Sequence, residues 1–179
     1  TEPVQYFPCA VLEGLNAARK AGAEIIKTSA GEQLEVLGIQ MEVLAPGEWK
    51  KKGDNDYSLV LYAEIEGAAF LLTGDSPTSS EKYDIPTCDI LKVAHHGSQY
   101  ATSDAFIQQA QPRIAIISVG LNSYGHPAQR VLDTLEKNGT TVIRTDESGC
   151  ITLWLGKRKM ALQAYHAPSL KPILLAYTR

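Results

Sequence analysis

The 179-residue chain has little of what marks several common protein classes. No apolar run approaches the roughly 18 residues of a membrane-spanning helix, and no basic-then-apolar signal sequence stands at the start. Cysteine occurs only three times, widely spaced and without a CxxC pair, which excludes a zinc ribbon and a dithiol redox motif. Because the chain opens at Thr1 rather than Met, we expect a processed chain or an excised part of a longer protein.

Basic charge is also scarce. The 17 Lys and Arg residues face 20 Asp and Glu residues, and the net charge is -3. This balance argues against a broad basic surface that coats nucleic acid, because such binding depends largely on neutralising phosphates. It leaves room for an enzyme that contacts a few phosphates through metal ions. The hydrophobic fraction of 44% and charged fraction of 21% are those of an ordinary globular domain, so the chain is one domain or most of one.

The order of predicted elements indicates an α/β layered fold. An amphipathic helix over 8–22 precedes short strands over 23–28, 33–37, 39–44, 57–65 and 68–73, with a charged loop over 50–56. In the second half, strands over 89–94, 113–119 and 141–145 alternate with helices over 102–110 and 127–138. A closing hairpin covers 149–155 and 158–165, and the tail over 168–179 predicts one more edge strand. Strands that alternate with helices favour a sheet whose faces are covered by helices.

Three polar motifs follow directly after predicted apolar strands. They are Thr73-Gly74-Asp75, His95-His96-Gly97-Ser98 and Tyr124-Gly125-His126-Pro127. In layered α/β proteins, ligands bind at the carboxyl ends of the strands, and a carboxylate with two or three imidazoles there predicts a transition-metal site. Thr-Gly-Asp and His-Pro are each more often structural when they occur alone, whereas an adjacent His pair followed by Gly-Ser is more unusual, so the shared order of the three motifs carries the prediction. His166, the fourth histidine, has no such partners and is predicted to be structural or exposed.

The two adjacent histidines, His95 and His96, are predicted to have different roles. Neighbouring side chains of an extended segment point to opposite sides. We therefore expect His95 and His96 not to bind the same ion. One of them is predicted to ligate a metal, while the other faces the substrate or packs below.

These motifs resemble the competence-protein branch of the metallo-beta-lactamase superfamily, in particular the C-terminal domain of the ComEC family of DNA-uptake channel proteins. The similar runs lie at 55–61, 70–75, 90–98, 117–127 and 144–149, and the resemblance covers about residues 10–155. It implies a metallo-beta-lactamase-like αββα sandwich that is incomplete and mainly its C-terminal half. The whole chain, 1–179, is then a single partial domain.

The resemblance also implies a two-metal phosphoester hydrolase, with single-stranded DNA degradation during uptake as its setting. The intact domain would hold two divalent ions, Zn or Mn. The implied site residues are Asp75 as the bridging metal ligand, His96 as a metal ligand, His95 and His126 as catalytic groups near the phosphate, and Ser98, Asn122 and Tyr124 as substrate-binding groups.

The chain departs from the family in one respect. No histidine precedes His95, so the HxHxDH metal motif and the half-sheet that carries it are absent. One aspartate and at most three histidines cannot fill two metal shells. We therefore expect this chain to bind at most one ion, weakly, and to be inactive on its own. Its expected partners are a phosphoester substrate such as single-stranded DNA, the N-terminal half-domain, and a second copy that covers the apolar face left open.

Two alternatives remain open. The chain is either the C-terminal part of this hydrolase or a non-catalytic binding or assembly module with the same fold. If it is a hydrolase, its substrate is DNA or a smaller molecule, such as a phosphorylcholine ester, a thioester or a lactam. The resemblance further implies a location on the extracytoplasmic side of the cell membrane, as part of a larger membrane protein, with this chain itself soluble.

Overall fold

The computed structural model describes residues 9–47, 53–157, 159–165 and 173–176. Within these ranges the helices and strands have the following bounds: α1 Cys9–Lys20, β1 Gln33–Val36, β2 Ile39–Ala45, β3 Val60–Ile65, β4 Ala68–Leu72, β5 Ile90–Lys92, α2 Asp104–Ala110, β6 Ile114–Ile117, α3 Gln129–Lys137, β7 Thr141–Arg144, α4 Thr145–Ser148, β8 Ile151–Gly156, β9 Lys159–Ala164 and β10 Ile173–Ala176. Short 3₁₀ turns lie at Asp54–Tyr57, Thr78–Ser80 and Ala94–Gly97.

The strands form one large and one small sheet. The large sheet has seven strands in the order β1 to β7; β1 to β4 are antiparallel, whereas β4 to β7 are parallel. The small sheet is antiparallel, in the order β10-β9-β8. Helix α2 connects β5 to β6, and helix α3 connects β6 to β7. The carboxyl ends of the four parallel strands therefore lie along one edge, as the sequence predicts.

Two hydrophobic clusters give the molecule its layers. On one face of the large sheet, Leu71, Leu91 and Ile117 pack with Phe106 of α2 and Leu135 of α3. The other face packs against the small sheet, through residues such as Phe70, Ile90 and Ile114 on the large sheet and Met160 and Leu162 on β9. Alternate residues of one strand thus face different layers, which explains why β4 to β6 appear as largely apolar runs. The mixed α/β class is confirmed.

The segment before β1 differs from its prediction. Helix α1 forms, but none of its side chains described for 12–20 is buried, and Leu12 is 44% exposed. The strand expected over 23–28 is wrong, because this stretch has no regular structure and the chain rejoins the sheet only at Ala30 and Gly31. Those two amides donate to the carbonyls of Pro46 and Val43, at 2.8 Å each. Apolar composition predicts a strand only where a partner strand is available.

The end of the chain agrees better with its prediction. β10 pairs with β9 within the expected tail strand, which confirms that element. His166, and residues 48–52 of the charged loop, lie outside the described residues. In the part of the chain that the structure describes, no helix is long and apolar enough to cross a membrane.

Candidate active site at the carboxyl ends of the parallel strands

Four loops meet at the edge where β4, β5, β6 and β7 end. The loop after β4 carries Asp75, the loop after β5 carries His95 and His96, and the loop after β6 carries His126. Asn55 reaches the same edge because β3 runs antiparallel to β4 and begins where β4 ends. The structure thus brings the predicted carboxylate and three predicted imidazoles into one site.

The turn that presents Asp75 is held from two sides. Thr73 Oγ1 donates to the carbonyl of Lys92 at 2.6 Å, which joins the ends of β4 and β5. The backbone amide of Asp75 donates to Ser58 Oγ at 3.2 Å. Between them, Gly74 has a φ of 51°, and a Cβ there would lie 3.2 Å from both the Ser58 side chain and the Leu59 carbonyl. Only glycine fits this close approach without strain, so the neighbours of the turn set the backbone that presents the carboxylate.

The two histidines lie in a tight turn rather than in an extended segment, which corrects the sequence-based expectation. His95 and His96 have φ values of 47° and 54°, in the left-handed region that side chains rarely adopt. The turn is closed by the amide of Ser98, which donates to the carbonyl of His95, while the amide of His95 donates to that of Gly74. Such strained backbone occurs mainly where the surrounding structure requires it, often at functional sites.

His96 faces Asp75 with a defined tautomer. Its Nδ1 lies 2.7 Å from the Ser118 carbonyl oxygen, which can only accept, so Nδ1 carries the ring proton. Its Nε2 then carries the lone pair and lies 3.9 Å from Asp75 Oδ1, and both side chains are about half exposed. A backbone carbonyl that fixes the ring of a metal-ligating histidine in this way is common in metal sites.

His95 holds the opposite tautomer. Its Nδ1 lies 3.4 Å from Asn55 Nδ2, an amide nitrogen that can only donate, so the ring proton belongs on Nε2. The two rings are 6.3 Å apart at 67°. The prediction that they do not bind the same ion stays a prediction, and the turn, not strand alternation, sets their orientations. By these tautomers, His96 presents a lone pair at Nε2 and His95 presents an N–H at Nε2.

His126 completes a series of rings that leads away from this pair. Its centroid lies 5.8 Å from that of His95, and Tyr124 stacks on it at 5.9 Å with an interplanar angle of 24°. Burial lowers the pKa of His126, and the nearby His95 and His96 lower it further. Among the described residues, nothing hydrogen-bonds to its buried Nδ1.

The loop that carries Tyr124 and His126 is organised by Asn122. The Asn122 amide nitrogen donates to the carbonyls of Gly120, at 2.9 Å, and His126, at 2.8 Å. Its Oδ1 accepts from the amides of Tyr124, at 3.1 Å, and His126, at 3.0 Å. Asn122 was predicted to bind substrate, but in the structure all four of these bonds go to the backbone of its own loop. Its side chain therefore gives the loop its shape.

A groove of about 370 Å³ lies between the histidine turn and this loop. Its walls include His96, Val119, Leu121, Tyr124 and Thr145. Thr145 anchors the floor, since its hydroxyl accepts from the amide of Val119 at 2.7 Å. Ser98 does not line this groove: it is only 2% exposed, and its hydroxyl accepts from the amide of Tyr100.

The described residues supply half of a tetrahedral metal shell. Metal–nitrogen and metal–oxygen distances are about 2.0–2.2 Å, so one ion can contact both Asp75 Oδ1 and His96 Nε2 across their gap. A zinc site needs four ligands. Within the described ranges, no group of three or more His, Cys, Asp or Glu side chains is placed to hold a metal ion. A complete shell therefore does not fit these residues alone.

Some residues of the site could not be assigned roles from sequence. Ser118 acts through its carbonyl, which no side-chain pattern reveals. Asn55 was recognisable only by topology, because it precedes a strand that is antiparallel to β4. Lys92, the last residue of β5, lies near Asp75; burial lowers its pKa, and the Asp75 charge acts in the opposite direction. Its ammonium group donates to the carbonyl of Val93.

The fold and this site define a mixed α/β protein with a polar centre of one carboxylate and three histidines at the carboxyl ends of its parallel strands. The chain is 41% identical over 143 residues to ComE operon protein 3 of Bacillus subtilis (strain 168), an alignment that covers 76% of the chain and 18% of that protein. It is 32% identical over 151 residues to competence protein ComA of Neisseria gonorrhoeae, covering 80% of the chain and 22% of the relative.

A third relative is recombination protein 2 of Haemophilus influenzae, with 29% identity over 158 residues, 85% of the chain and 20% of that protein. No protein-family model matches the chain. Homologues of this chain are thus competence proteins, which fits the ComEC family. The chain spans about a fifth of the length of these curated relatives.

Proposed function

We propose that this chain is the C-terminal part of a metal-dependent phosphoester hydrolase with the metallo-beta-lactamase architecture, acting on DNA during uptake. One observation carries the proposal: Asp75 and His96 face each other at 3.9 Å at the carboxyl ends of parallel strands, beside a second, oppositely protonated histidine. The competence homologues support the DNA-uptake setting. The layer order of helices, large sheet and small sheet is compatible with three layers of an αββα sandwich.

The tautomers support different roles for the two adjacent histidines, metal binding for His96 and hydrogen bonding to the substrate for His95. Asp75 Oδ1 and His96 Nε2 would hold a divalent ion such as Zn or Mn, with the remaining ligands outside the described residues. When bound, such an ion acidifies water and neutralises the charge that develops on phosphate oxygens. His95 Nε2–H would donate a hydrogen bond to a phosphoryl oxygen and so stabilise the charge that develops there. Burial and the neighbouring His95 and His96 lower the pKa of His126, which favours its neutral form.

The proposal is tested with the chain extended at its N-terminus toward the length of its relatives. We expect the extended form to hydrolyse a labelled oligonucleotide with Zn²⁺ or Mn²⁺, and the present chain to do so little or not at all. Asp75→Ala should abolish hydrolysis in the extended form. Asp133→Ala is the matched control, since Asp133 is exposed on α3. An active extended form that is indifferent to Asp75→Ala would overturn the assigned role.

A non-catalytic binding or assembly module is the second candidate. The observation in its favour is that the described residues supply two metal donors and no third. The same experiment separates the two functions. If no extension yields hydrolysis of any phosphodiester while the chain still binds a competence component, the module interpretation is the better one.

The proposed partners follow from the same interpretation. They are single-stranded DNA, an N-terminal half-domain, and in its absence a second copy of the chain. β1 is an edge strand, with Val36 48% exposed and the adjacent Leu37 98% exposed, and open apolar edges promote association. Light scattering should therefore show self-association of the chain, and a clean monomer at high concentration would contradict this. In the parent protein we place the chain on the extracytoplasmic side of the membrane.

A further inference from the structure

We infer that Tyr124 is a stacking platform for a nucleobase, so that the site accepts a single nucleic-acid strand in preference to a small phosphoester. The inference rests on the proposed phosphoester chemistry of this site and adds the residue that would hold a base of the single-stranded substrate. The geometry of the Tyr124 ring, the rigidity of its loop and the composition of the groove each support it.

The Tyr124 ring is unusually available. The residue is 81% exposed although one face of its ring stacks on His126. Leu121, at the same rim of the groove, is fully exposed. Large apolar side chains exposed together beside a groove mark a binding surface more often than scattered ones do. The free face of Tyr124 can accept another planar ring.

The loop is rigid enough to serve as a platform. The four hydrogen bonds of Asn122 hold the backbone at both Tyr124 and His126. A ring that is already held in its binding position loses little conformational entropy when a ligand stacks on it. Tyr124 is therefore preorganised, despite its exposure.

A series of rings also links Tyr124 to the proposed metal ligands, Asp75 and His96. The spacing from Tyr124 to His126 is 5.9 Å and from His126 to His95 is 5.8 Å, and His95 lies beside the Asp75–His96 pair. A base stacked on the outer face of Tyr124 extends this series by one ring. A strand that continues from this base along the groove would bring a phosphodiester toward the histidines.

The groove suits a base better than a choline group. A quaternary ammonium ion is bound by several aromatic faces together. Of the described residues that line the groove, only Tyr124 is a Phe, Tyr or Trp, and none is acidic. A net charge of -3 also argues that the strand is not held mainly by a basic track. Base stacking on an aromatic side chain tolerates any sequence and needs no such track.

The test compares two strands and three variants. Binding of a fluorescein-labelled oligodeoxythymidylate is followed by anisotropy in EDTA, so that no cleavage occurs. Tyr124→Ala should weaken binding by about 5- to 140-fold, the range expected for one lost stack. Tyr124→Phe should bind like the wild type, because it keeps the ring. Tyr165→Ala, which removes a tyrosine of similar exposure (77%) directly after β9, should also bind like the wild type.

A strand of equal length made of abasic sites provides the second arm. Wild-type protein should bind it more weakly than the thymidylate strand, and Tyr124→Ala should weaken that binding no further. Equal binding of both strands by the wild type, or an equal loss on both strands in Tyr124→Ala, would overturn the inference.

Cleavage by the N-terminally extended form separates this inference from the proposed function. If neither strand is cleaved with Zn²⁺ or Mn²⁺, the phosphoester chemistry fails. If thymidylate and abasic strands are cleaved alike by wild type and Tyr124→Ala, only the stacking platform fails. Preferential hydrolysis of glycerophosphocholine over the thymidylate strand would likewise overturn it.

Discussion

Replacing Gly97 with alanine would place a methyl group between the histidine turn and the loop that carries His126. Gly97 has a φ of 80°, and a Cβ built there lies 2.6 Å from Pro127 Cβ and 3.0 Å from Pro127 Cα. Real Cβ atoms do not approach other atoms so closely, and Pro127 is held nearby because the amide of Ala128 donates to the Gly97 carbonyl. The methyl group cannot be accommodated by a side-chain rotation alone.

The expected cost has two parts. A left-handed backbone conformation costs a non-glycine residue about 1–2 kcal/mol, and overpacking a close contact costs about 1–3 kcal/mol. Gly97→Ala should therefore lower the free energy of unfolding by about 2–5 kcal/mol. Gly139→Ala is the matched control, because Gly139 has a φ of 73° but nothing within 4 Å of its Cβ position. It should lose only about 1–2 kcal/mol.

Urea unfolding followed by circular dichroism measures both variants under the same conditions. Thermal unfolding gives a second measure, since 1 kcal/mol shifts the Tm of a domain of this size by about 2–4 °C. The difference between the two variants isolates the contact with Pro127. Equal losses for Gly97→Ala and Gly139→Ala would show that the two loops are not packed as closely as described, and would refute the reasoning.

Three further predictions concern Asn122, Tyr83 and the tautomers of the two adjacent histidines. Asn122→Ala should speed exchange of the Tyr124 and His126 amides by about fivefold or more, because each lost hydrogen bond is worth about 1 kcal/mol. Asn122→Asp keeps the oxygen that accepts from these amides but places a second oxygen against the Gly120 and His126 carbonyls, so it should restore the protection only in part. The hydroxyl of Tyr83 is buried without a hydrogen-bond partner among the described residues, so Tyr83→Phe should leave the free energy of unfolding near pH 7 unchanged or raise it. A decrease of more than about 1 kcal/mol would show that the hydroxyl does form a hydrogen bond. Burial, with a smaller effect of the Glu81 charge, raises the pKa of Tyr83 in the folded protein. As the pH rises above about 10, Tyr83 therefore loses its proton in the unfolded state before it does so in the folded state. This difference should lower the wild-type free energy of unfolding by up to about 1.4 kcal/mol per pH unit, a contribution that Tyr83→Phe should lack. Long-range proton–nitrogen NMR spectra should show His96 protonated on Nδ1 and His95 on Nε2, and the same tautomer on both rings would contradict the assigned contacts.

The parallel half of the large sheet could be predicted from sequence because two patterns, the apolar strands and the amphipathic helices that follow them, indicate the same structure. β5 and β6 are buried on both faces and so appear as apolar runs, and each is followed by a helix with a clear inward face. Parallel strands must end along one edge, so the three motifs had to converge. The position of the site follows from topology alone, before any side-chain contact is known.

The local geometry of the site could not be predicted, because it depends on contacts between residues far apart in the chain. Asn55 meets His95 across 40 residues, and Ser118 meets His96 across 22. The turn at the two histidines adopts a left-handed backbone that local propensity disfavours. Sequence patterns record propensity and periodicity, whereas these features arise where tertiary packing outweighs both.

The failure over 23–28 has the same origin. Ile25 and Ile26 have high β-propensity, yet they are 37% and 62% exposed and form no strand. Propensity measured in proteins is largely the packing of a side chain against cross-strand neighbours. Because β1 lies at the edge of the large sheet, residues 23–28 have no neighbouring strand among the described residues to supply that packing.

Contacts within the protein hold the two metal donors, Asp75 and His96, and this bears on how an ion would bind. Asp75 is fixed through its backbone by Ser58, and His96 through its ring by the Ser118 carbonyl. Ion binding therefore needs little rearrangement of the backbone of Asp75 or the ring of His96, and the affinity is set by the ligands that the described residues do not supply. Zn²⁺ titration should then be weak and should shift NMR signals of Asp75 and His96 while leaving the Asn122 side-chain amide unchanged. A large shift at Asn122 would mean that the ion reorganises the loop, and that the two donors are not preorganised as the structure describes.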